Sequence, residues 1–177
     1  MVTLWSYTAI IALVGFERLW ELRLSNRNAA LAFASGGREA GQGHYRFMTV
    51  FHTLFLISCV AEPWLGERPF MGSWIFVAAG AQALRYWAIS TLGTRWNTRV
   101  IVLPEAPPVT GGPYRFVRHP NYVAVVIELF ALPLIHGAWM TAMVFSIVNA
   151  GLLFVRIRVE EEALGPVWAV AFRRPAK

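Results

Sequence analysis

Five apolar stretches alternate with arginine-rich polar segments along this 177-residue chain. The apolar stretches cover residues 2–16, 47–60, 70–89, 122–135 and 138–155. Most of them are shorter than the ~20 residues that a helix needs to cross a bilayer perpendicular to its plane. Flanking Trp, Tyr and Arg side chains must therefore extend the spans into the lipid–water interface. The pattern predicts an all-α integral membrane bundle of about five transmembrane helices that ends in a helical hairpin.

The positive charges between these stretches fall almost entirely on one side of the predicted bundle. Residues 17–46, 85–119 and 156–177 each carry five Lys or Arg, whereas residues 61–72 carry only Arg68. Fifteen of the 16 cations thus share one face. The positive-inside rule makes that face cytoplasmic, with the N-terminus outside and the C-terminus inside. We therefore expect a multi-pass protein of the cell (inner) membrane, and the net charge of +6 needs no nucleic-acid partner.

The composition supports the membrane interpretation. Apolar residues make up 56% of the chain and charged residues 15%, whereas soluble domains average roughly 45–50% and about 25%. The length suits a single domain, residues 1–177. The first apolar stretch has no basic residue ahead of it, so it does not resemble a cleavable signal peptide. The single Cys59 lies inside a predicted span and forms no intrachain disulfide.

Two connecting segments are predicted to be irregular. Residues 25–43 contain four glycines and predict a flexible cytoplasmic loop, and residues 103–113, with four prolines and two glycines, predict an irregular linker. Neither has the strand, the G-x-G-x-x-G spacing and the helix of a dinucleotide-binding fold. We therefore expect no Rossmann-type cofactor site.

Some polar residues within or beside the spans allow two interpretations. Glu17, Arg18 and Glu21 end the first span, either as a charged helix end at the head groups or as support for an active site. His52 lies inside the second span, either as a hydrogen-bonded interior residue or as a catalytic one. No second His or carboxylate follows His52 at helical spacing, so we expect no zinc or iron site. The role of His44, at the start of that span, stays open.

The last two spans are joined by residues 133–137 only, which is too short for anything but a tight helical hairpin. Both ends of the hairpin therefore return to the same face of the membrane. Polar residues 118–122 at its start are expected to meet polar residues 156–162 at its end. The plain alternative is that these side chains are solvated helix caps.

These two polar segments carry a family resemblance. Arg118-His119-Pro120-x-Tyr122, followed by Arg156-Ile157-x-x-Glu160-Glu161 and preceded by Gly112-Pro113-Tyr114-Arg115, resembles the signature of the isoprenylcysteine carboxyl methyltransferase family. The resemblance extends over roughly residues 93–164. It implies a multi-span enzyme that holds S-adenosyl-L-methionine in a cytoplasmic pocket, without a metal. The residues that it implies for cofactor binding are Tyr114, Arg115, His119, Pro120, Tyr122, Glu160 and Glu161. Arg118 and Arg156 are the arginines implied to assist catalysis.

The chain departs from the family pattern at two positions of the fourth span. Ala124 and Glu128 stand where the prenylcysteine-type members have Gly and Trp. A carboxylate inside a span is a functional hypothesis by default, and Glu128 is predicted to act as a general base. A phenol or enol acceptor needs such a base, whereas an ionised carboxylate acceptor does not.

A looser resemblance points toward the same kind of acceptor. Glu17-Arg18-x-x-Glu21, Gly36-Gly37-x-Glu39, His44-Tyr45 and Pro120-Asn121-Tyr122 with Glu128 resemble a bacterial subgroup that methylates alkylpyrones and alkylresorcinols. The sequence thus predicts an O-methyltransferase whose lipophilic acceptor enters from the bilayer. Carboxyl methylation of a prenylcysteine-like substrate and phospholipid N-methylation are the enzymatic alternatives. A small transporter subunit or a purely structural membrane protein are the non-enzymatic ones.

Overall fold

The computed structural model describes residues 1–41, 45–103 and 106–172, which form five α-helices and one small sheet. The helices are α1 (Val2–Ala34), α2 (Tyr45–Leu65), α3 (Trp74–Leu92), α4 (Pro120–Leu134) and α5 (Trp139–Ala171). Short 3₁₀ turns lie at Gly93–Arg95 and Gly112–Arg115. Strands β1 (Arg38–Ala40) and β2 (Val100–Val102) pair antiparallel, with Glu39 opposite Ile101.

Within the part of the chain that the structure describes, three segments are long and apolar enough to cross a membrane, namely Val2–Ala34, Phe47–Leu65 and Trp139–Pro166. Helix α4 is equally apolar but shorter. Large apolar side chains such as Phe16, Leu54, Phe76, Ile147 and Phe154 are exposed on the outer faces of these helices. Lipid tails can cover such a surface, whereas water cannot do so favourably. The chain is therefore an integral membrane protein.

The predicted helical hairpin is formed by α4 and α5. Between the two helices the chain reverses at Gly137, whose φ of 61° is left-handed and whose missing side chain leaves room for Pro69. A Cβ atom there would lie 2.9 Å from the Cδ of Pro69. The carboxylate of Glu62 on α2 accepts the backbone N–H groups of Met140 (3.3 Å) and Thr141 (2.7 Å). This cap satisfies free donors at the start of α5 and fixes the closed end of the hairpin against α2.

The structure corrects two expectations about the polar segments. The predicted loop 25–43 is helical up to Ala34, and residues 38–40 form a strand, so the fold is not purely α. The helix continues because its buried polar side chains find partners: Asn28 donates to the backbone oxygen of Trp96 (2.7 Å), and Ser25 donates to Asn97 (2.8 Å). The glycines of this segment end the helix and turn the chain into β1. His44 lies outside the described residues.

Helix α5 is interrupted near its end. Gly165 has a left-handed φ of 71°, and Pro166 follows it. The interruption redirects the last turns of the helix toward the open end of the hairpin, where Trp168 packs on the ring of His119 with centroids 5.3 Å apart. The C-terminal turns thereby become one wall of the site described next.

Candidate active site

The open end of the hairpin brings the two predicted polar segments into direct contact. Tyr122 donates its hydroxyl hydrogen to Glu160 and accepts a hydrogen bond from Nε of Arg156 at 2.7 Å. Nε2 of His119 lies 3.2 Å from a carboxylate oxygen of Glu161. Because a carboxylate can only accept, this contact places the hydrogen on Nε2. We call Arg118, His119, Tyr122, Arg156, Glu160 and Glu161 the hairpin cluster.

Arg156 joins the hairpin cluster to the rest of the bundle. Its side chain is buried, and Nη2 donates to the backbone oxygen of Thr98 at 2.5 Å. Nη1 lies 3.0 Å from the sulfur of Met48 on α2. One guanidinium group therefore holds together α2, α4, α5 and the segment before β2. Its planar fork of donors suits this task, because each N–H points to a different partner.

A cavity of about 670 Å³ opens beside the hairpin cluster. Its walls include Trp96, Tyr114, His119, Tyr122, Glu160 and Trp168. The volume is within the range of roughly 300–1,000 Å³ that is usual for small-molecule sites. Burial, reinforced by the charge of Glu160, raises the pKa of Tyr114. The phenol therefore stays protonated and can donate a hydrogen bond to a ligand. We call this space the polar cavity.

The other residues that the sequence predicts for cofactor binding or catalysis differ in their position relative to the polar cavity. Arg118 lines the polar cavity but is largely exposed, with Nη1 3.6 Å from Glu161. Arg115 is exposed and lies over the ring of Phe116, outside the cavity wall. Pro120 is buried as the first residue of α4, where its missing N–H costs no hydrogen bond. Pro120 and Glu161 thus support the wall from behind rather than forming its surface.

A second cavity, of about 560 Å³, lies between α1, α2 and α4. Most of its wall is apolar and comes from α1 and α2, including Leu19, Leu56 and Ile57. We call it the apolar cavity. Five residues border both cavities: Trp96, Asn97, Asn121, Tyr122 and Arg156. The two spaces are therefore separated by a wall one side chain thick.

A network of ion pairs forms the deep wall of the apolar cavity. Arg85 on α3 donates from Nε to one oxygen of Glu128 at 2.9 Å and from Nη2 to the other. Arg18 donates to Glu21 at 2.6 Å and lies 3.5 Å from Glu128. Glu21, Arg85 and Glu128 are only 4–6% exposed. We call Glu17, Arg18, Glu21, Arg85 and Glu128, with Gln82 as a neutral partner, the buried ion network.

This network decides between the two interpretations of the end of the first span. Glu17, Arg18 and Glu21 are not a solvated helix end, because they pair with α3 and α4 inside the protein. It also gives Glu128 a partner that the sequence analysis did not identify. Both carboxylate oxygens of Glu128 accept from Arg85, so both are already engaged in hydrogen bonds.

Sequence reasoning missed Arg85, Gln82 and Asn121. A signal for Arg85 existed, since an arginine inside an apolar run requires a partner at the same depth. Asn121 lies within the His-Pro motif, and its Oδ1 atom is buried without a hydrogen-bond partner among the described residues. The residue lines both cavities, and an unsatisfied acceptor beside them is a candidate ligand contact.

The hairpin cluster lies within a segment that matches a known protein family. Residues 74–166 match the sequence profile of the Isoprenylcysteine carboxyl methyltransferase (ICMT) family. The chain is 38% identical over 158 residues to the uncharacterized protein YpbQ of Bacillus subtilis, covering 88% of this chain and 94% of that protein. It is 27% identical over 151 residues to an uncharacterized protein of Haemophilus influenzae, covering 83% and 88%. No solved structure matches.

Proposed function

Since the chain belongs to the isoprenylcysteine carboxyl methyltransferase family and is thereby a membrane methyltransferase, we propose that it methylates a hydroxyl of a long-chain phenolic or pyrone lipid. The methyl donor in this proposal is S-adenosyl-L-methionine, which the family uses. The observation that carries the proposal is the shared wall between a polar and an apolar cavity. Methyl transfer requires donor and acceptor to meet in line at close range, and the two cavities are adjacent enough for this once a side chain of the shared wall moves aside.

The polar cavity suits the methyl donor. Glu160 provides a carboxylate for ribose hydroxyls or for the amino group, and Trp96 and Trp168 provide aromatic surface for an adenine ring. The unpartnered oxygen of Asn121 supplies a further acceptor at the wall. When bound there, S-adenosyl-L-methionine supplies a methyl group on a positively charged sulfur. The chain's own residues hold the donor, exclude water and set its direction toward the shared wall.

The apolar cavity suits an acceptor with an alkyl chain. Its walls belong to helices that are long and apolar enough to cross a membrane, so a lipid can enter from the bilayer without passing through water. The polar head of that lipid would then reach the buried ion network and the shared wall. In this proposal the reacting oxygen lies on the side of the cavity that faces the donor.

The charges of the apolar cavity favour a hydroxyl over a carboxylate as the acceptor. The buried ion network has three carboxylates, Glu17, Glu21 and Glu128, against two guanidinium groups, Arg18 and Arg85. Arg156 is already bonded to Tyr122, Thr98 and Met48. The guanidinium groups that line the cavity in the described residues are therefore already engaged, so an ionised acceptor would have to compete for one of them, whereas a neutral hydroxyl needs none.

The position of the site relative to the membrane completes the proposal. The hairpin cluster lies at the end of the bundle where the arginine-rich segments gather, and the positive-inside rule assigns that end to the cytoplasm. The polar cavity would then open toward cytoplasmic S-adenosyl-L-methionine. The closed end of the hairpin, with Glu62 and Arg68, would face the other side.

The test is a methyl-acceptor assay with the purified full chain in lipid nanodiscs. Radiolabelled S-adenosyl-L-methionine is offered with an alkylresorcinol, an alkylpyrone, a farnesylcysteine derivative or phosphatidylethanolamine, and the methylated product is identified by mass spectrometry. We expect methyl ethers of the first two. Methylation of the farnesylcysteine or of the amine instead would establish one of the other acceptors, and no methylation of any lipid would reject the proposal.

A matched pair of variants ties the activity to the polar cavity. Glu160→Gln removes a charged acceptor from the cavity wall and should weaken donor binding by roughly 10- to 100-fold, the range for hydrogen bonds to charged groups. Glu162→Gln changes an exposed carboxylate on the same helix and should have no effect. Calorimetric titration with S-adenosylhomocysteine measures both. Equal affinities for the two variants would contradict the placement of the donor.

A further inference from the structure

His52 on α2 is a titratable side chain of the apolar cavity that belongs to neither polar cluster. It follows Met48 by one helical turn, and the sulfur of Met48 touches Arg156 in the shared wall. His52 therefore lies about 5–6 Å further along the helix axis than a residue that contacts this wall. The inference drawn from it rests on the proposed methylation of a hydroxyl.

The hydrogen bonding of His52 fixes the state of its ring. Nδ1 lies 2.8 Å from the backbone oxygen of Met48. A carbonyl oxygen can only accept, so Nδ1 carries the hydrogen, and in the neutral ring Nε2 carries a lone pair. Nε2 makes no hydrogen bond to any residue in 1–41, 45–103 or 106–172. The ring is held from the side by Phe51, with centroids 5.3 Å apart.

The other titratable groups that line the apolar cavity are either hydrogen-bonded or closed off from its open space. Arginine is not a base, and Tyr122 donates its hydrogen to Glu160. Both oxygens of Glu128 accept from Arg85. One oxygen of Glu21 accepts from Arg18, and the other is buried away from the open cavity. His52 is thus the lining side chain in the described residues that presents a free basic lone pair.

The charges around His52 are mixed. Arg18 on α1, Arg85 on α3 and Glu128 on α4 all act on the ring electrostatically, and Arg156 on α5 is reached through Met48. A neutral ring with a free lone pair is what proton abstraction requires.

We propose that His52 is the general base of the reaction and accepts the hydroxyl proton of the acceptor on Nε2. As the proton moves to Nε2, the acceptor oxygen forms a bond to the methyl carbon, and the bond from that carbon to sulfur breaks with its electron pair staying on sulfur. The products are a methyl ether, S-adenosylhomocysteine and an imidazolium ring, which returns its proton to water before the next turnover.

This assignment narrows the class of acceptor. A neutral imidazole can take a proton from a phenol or an enol, whose pKa of about 10 or below is not far from that of histidine. An aliphatic alcohol is much too weak an acid for this base. The acceptor is therefore an aromatic or enolic hydroxyl on an alkyl chain, and the base predicted from sequence at Glu128 is replaced by His52.

The decisive variant is His52→Asn, in which the amide nitrogen can still donate to the Met48 oxygen while the basic nitrogen is lost. His52→Gln is the second variant, and His136→Gln, at the closed end of the hairpin, is the control. The acceptors are an alkylphenol and an alkylated nitrophenol that is already ionised at the assay pH. With the alkylphenol, both His52 variants should be slower by about 10²- to 10⁴-fold, the usual contribution of a general base.

The nitrophenol separates a base from a structural residue, because an ionised acceptor needs no proton removed. Each variant is compared with wild type on this same acceptor, so the weaker binding expected of an anion cancels, and the variants should retain rates within a few-fold of wild type. We expect kcat of wild type for the alkylphenol to rise with pH and this rise to vanish in the variants. S-adenosylhomocysteine affinity, measured by calorimetry, should be unchanged and verifies that the variants fold. Equal losses with both acceptors, or normal alkylphenol rates, would overturn the proposal. Wild-type protein that methylates neither acceptor would reject the proposed function itself.

Discussion

The hairpin cluster and the buried ion network both contain paired arginines and glutamates, yet they differ in how deeply they are buried and in which helices supply them. The hairpin cluster is partly exposed: the side chains of Arg118 and Glu161 are 47% and 36% accessible. It is assembled by one tight turn between neighbouring helices. The buried ion network is almost sealed and joins α1, α3 and α4, which are distant in sequence. The first cluster suits a site that ligands enter and leave, and the second suits a fixed wall.

This difference predicts different responses to substitution. A charge buried without its partner is costly, since neither water nor salt can replace the lost contact. An exposed charge that loses its partner is solvated at little cost. Stability should therefore depend on the buried ion network, whereas ligand binding should depend on the hairpin cluster.

The largest effect is expected for Arg85→Met, which leaves three carboxylates with Arg18 as their remaining cation in the network. Removing one partner of a buried pair costs about 3–5 kcal/mol. Unfolding of the detergent-solubilised chain, followed by circular dichroism, measures the loss. The double variant Arg85→Met, Glu128→Leu removes both partners and should regain much of the lost stability. A double variant as unstable as the single one would mean that the pair is not the source of the effect.

A smaller effect on stability but a large one on activity is expected for Arg156→Met. The substitution removes the hydrogen bonds to Tyr122 and Thr98 that set the shared wall. Turnover should fall at least about 100-fold, which corresponds to roughly 2.7 kcal/mol of lost transition-state stabilisation. Arg158→Met, two positions along the same helix and exposed, is the matched control. If both variants are equally active, the wall does not depend on Arg156.

The smallest effect is expected for Glu161→Gln. Its contacts to Arg118 and His119 are partly exposed, and such pairs contribute about 0–1 kcal/mol. The dissociation constant for S-adenosylhomocysteine should rise less than about fivefold. The difference from wild type should shrink further at high salt, because exposed ion pairs are screened. A loss of affinity as large as that of Glu160→Gln would show that Glu161 contacts the ligand directly.

Local patterns in the sequence were sufficient for the helices and for the hairpin. The short connection at residues 133–137 left no other way to place His119 and Glu161, and the structure confirms their contact. The number of membrane spans and their orientation stay predictions, since three helices meet the length and apolarity of a span. The extension of α1 to Ala34 could not be predicted, because Ser25 and Asn28 are stabilised by partners about 70 positions away.

The sequence motifs also located one side of the site but not the other. The His-Pro and Glu-Glu motifs are local and identify the hairpin cluster directly. Glu128 pairs with both Arg85 and Arg18, which depends on how three helices pack against each other. A sequence motif does not show this packing. For this reason the sequence alone did not show that Glu128 pairs with Arg85. The sequence left the role of His52 open between an interior and a catalytic residue, and its position in the cavity wall supports the proposed catalytic role.

The family match begins at residue 74 and thus leaves out α1 and α2, whose residues 12–22 and 48–57 form much of the apolar cavity. The polar cavity is built mostly from residues 92–168, which the match largely covers. Under the proposed function, the residues that recognise the lipid and those that bind the methyl donor therefore lie in separate parts of the sequence. If the proposal is right, changes in the first two helices would alter the lipid that is modified without altering the segment that matches the family.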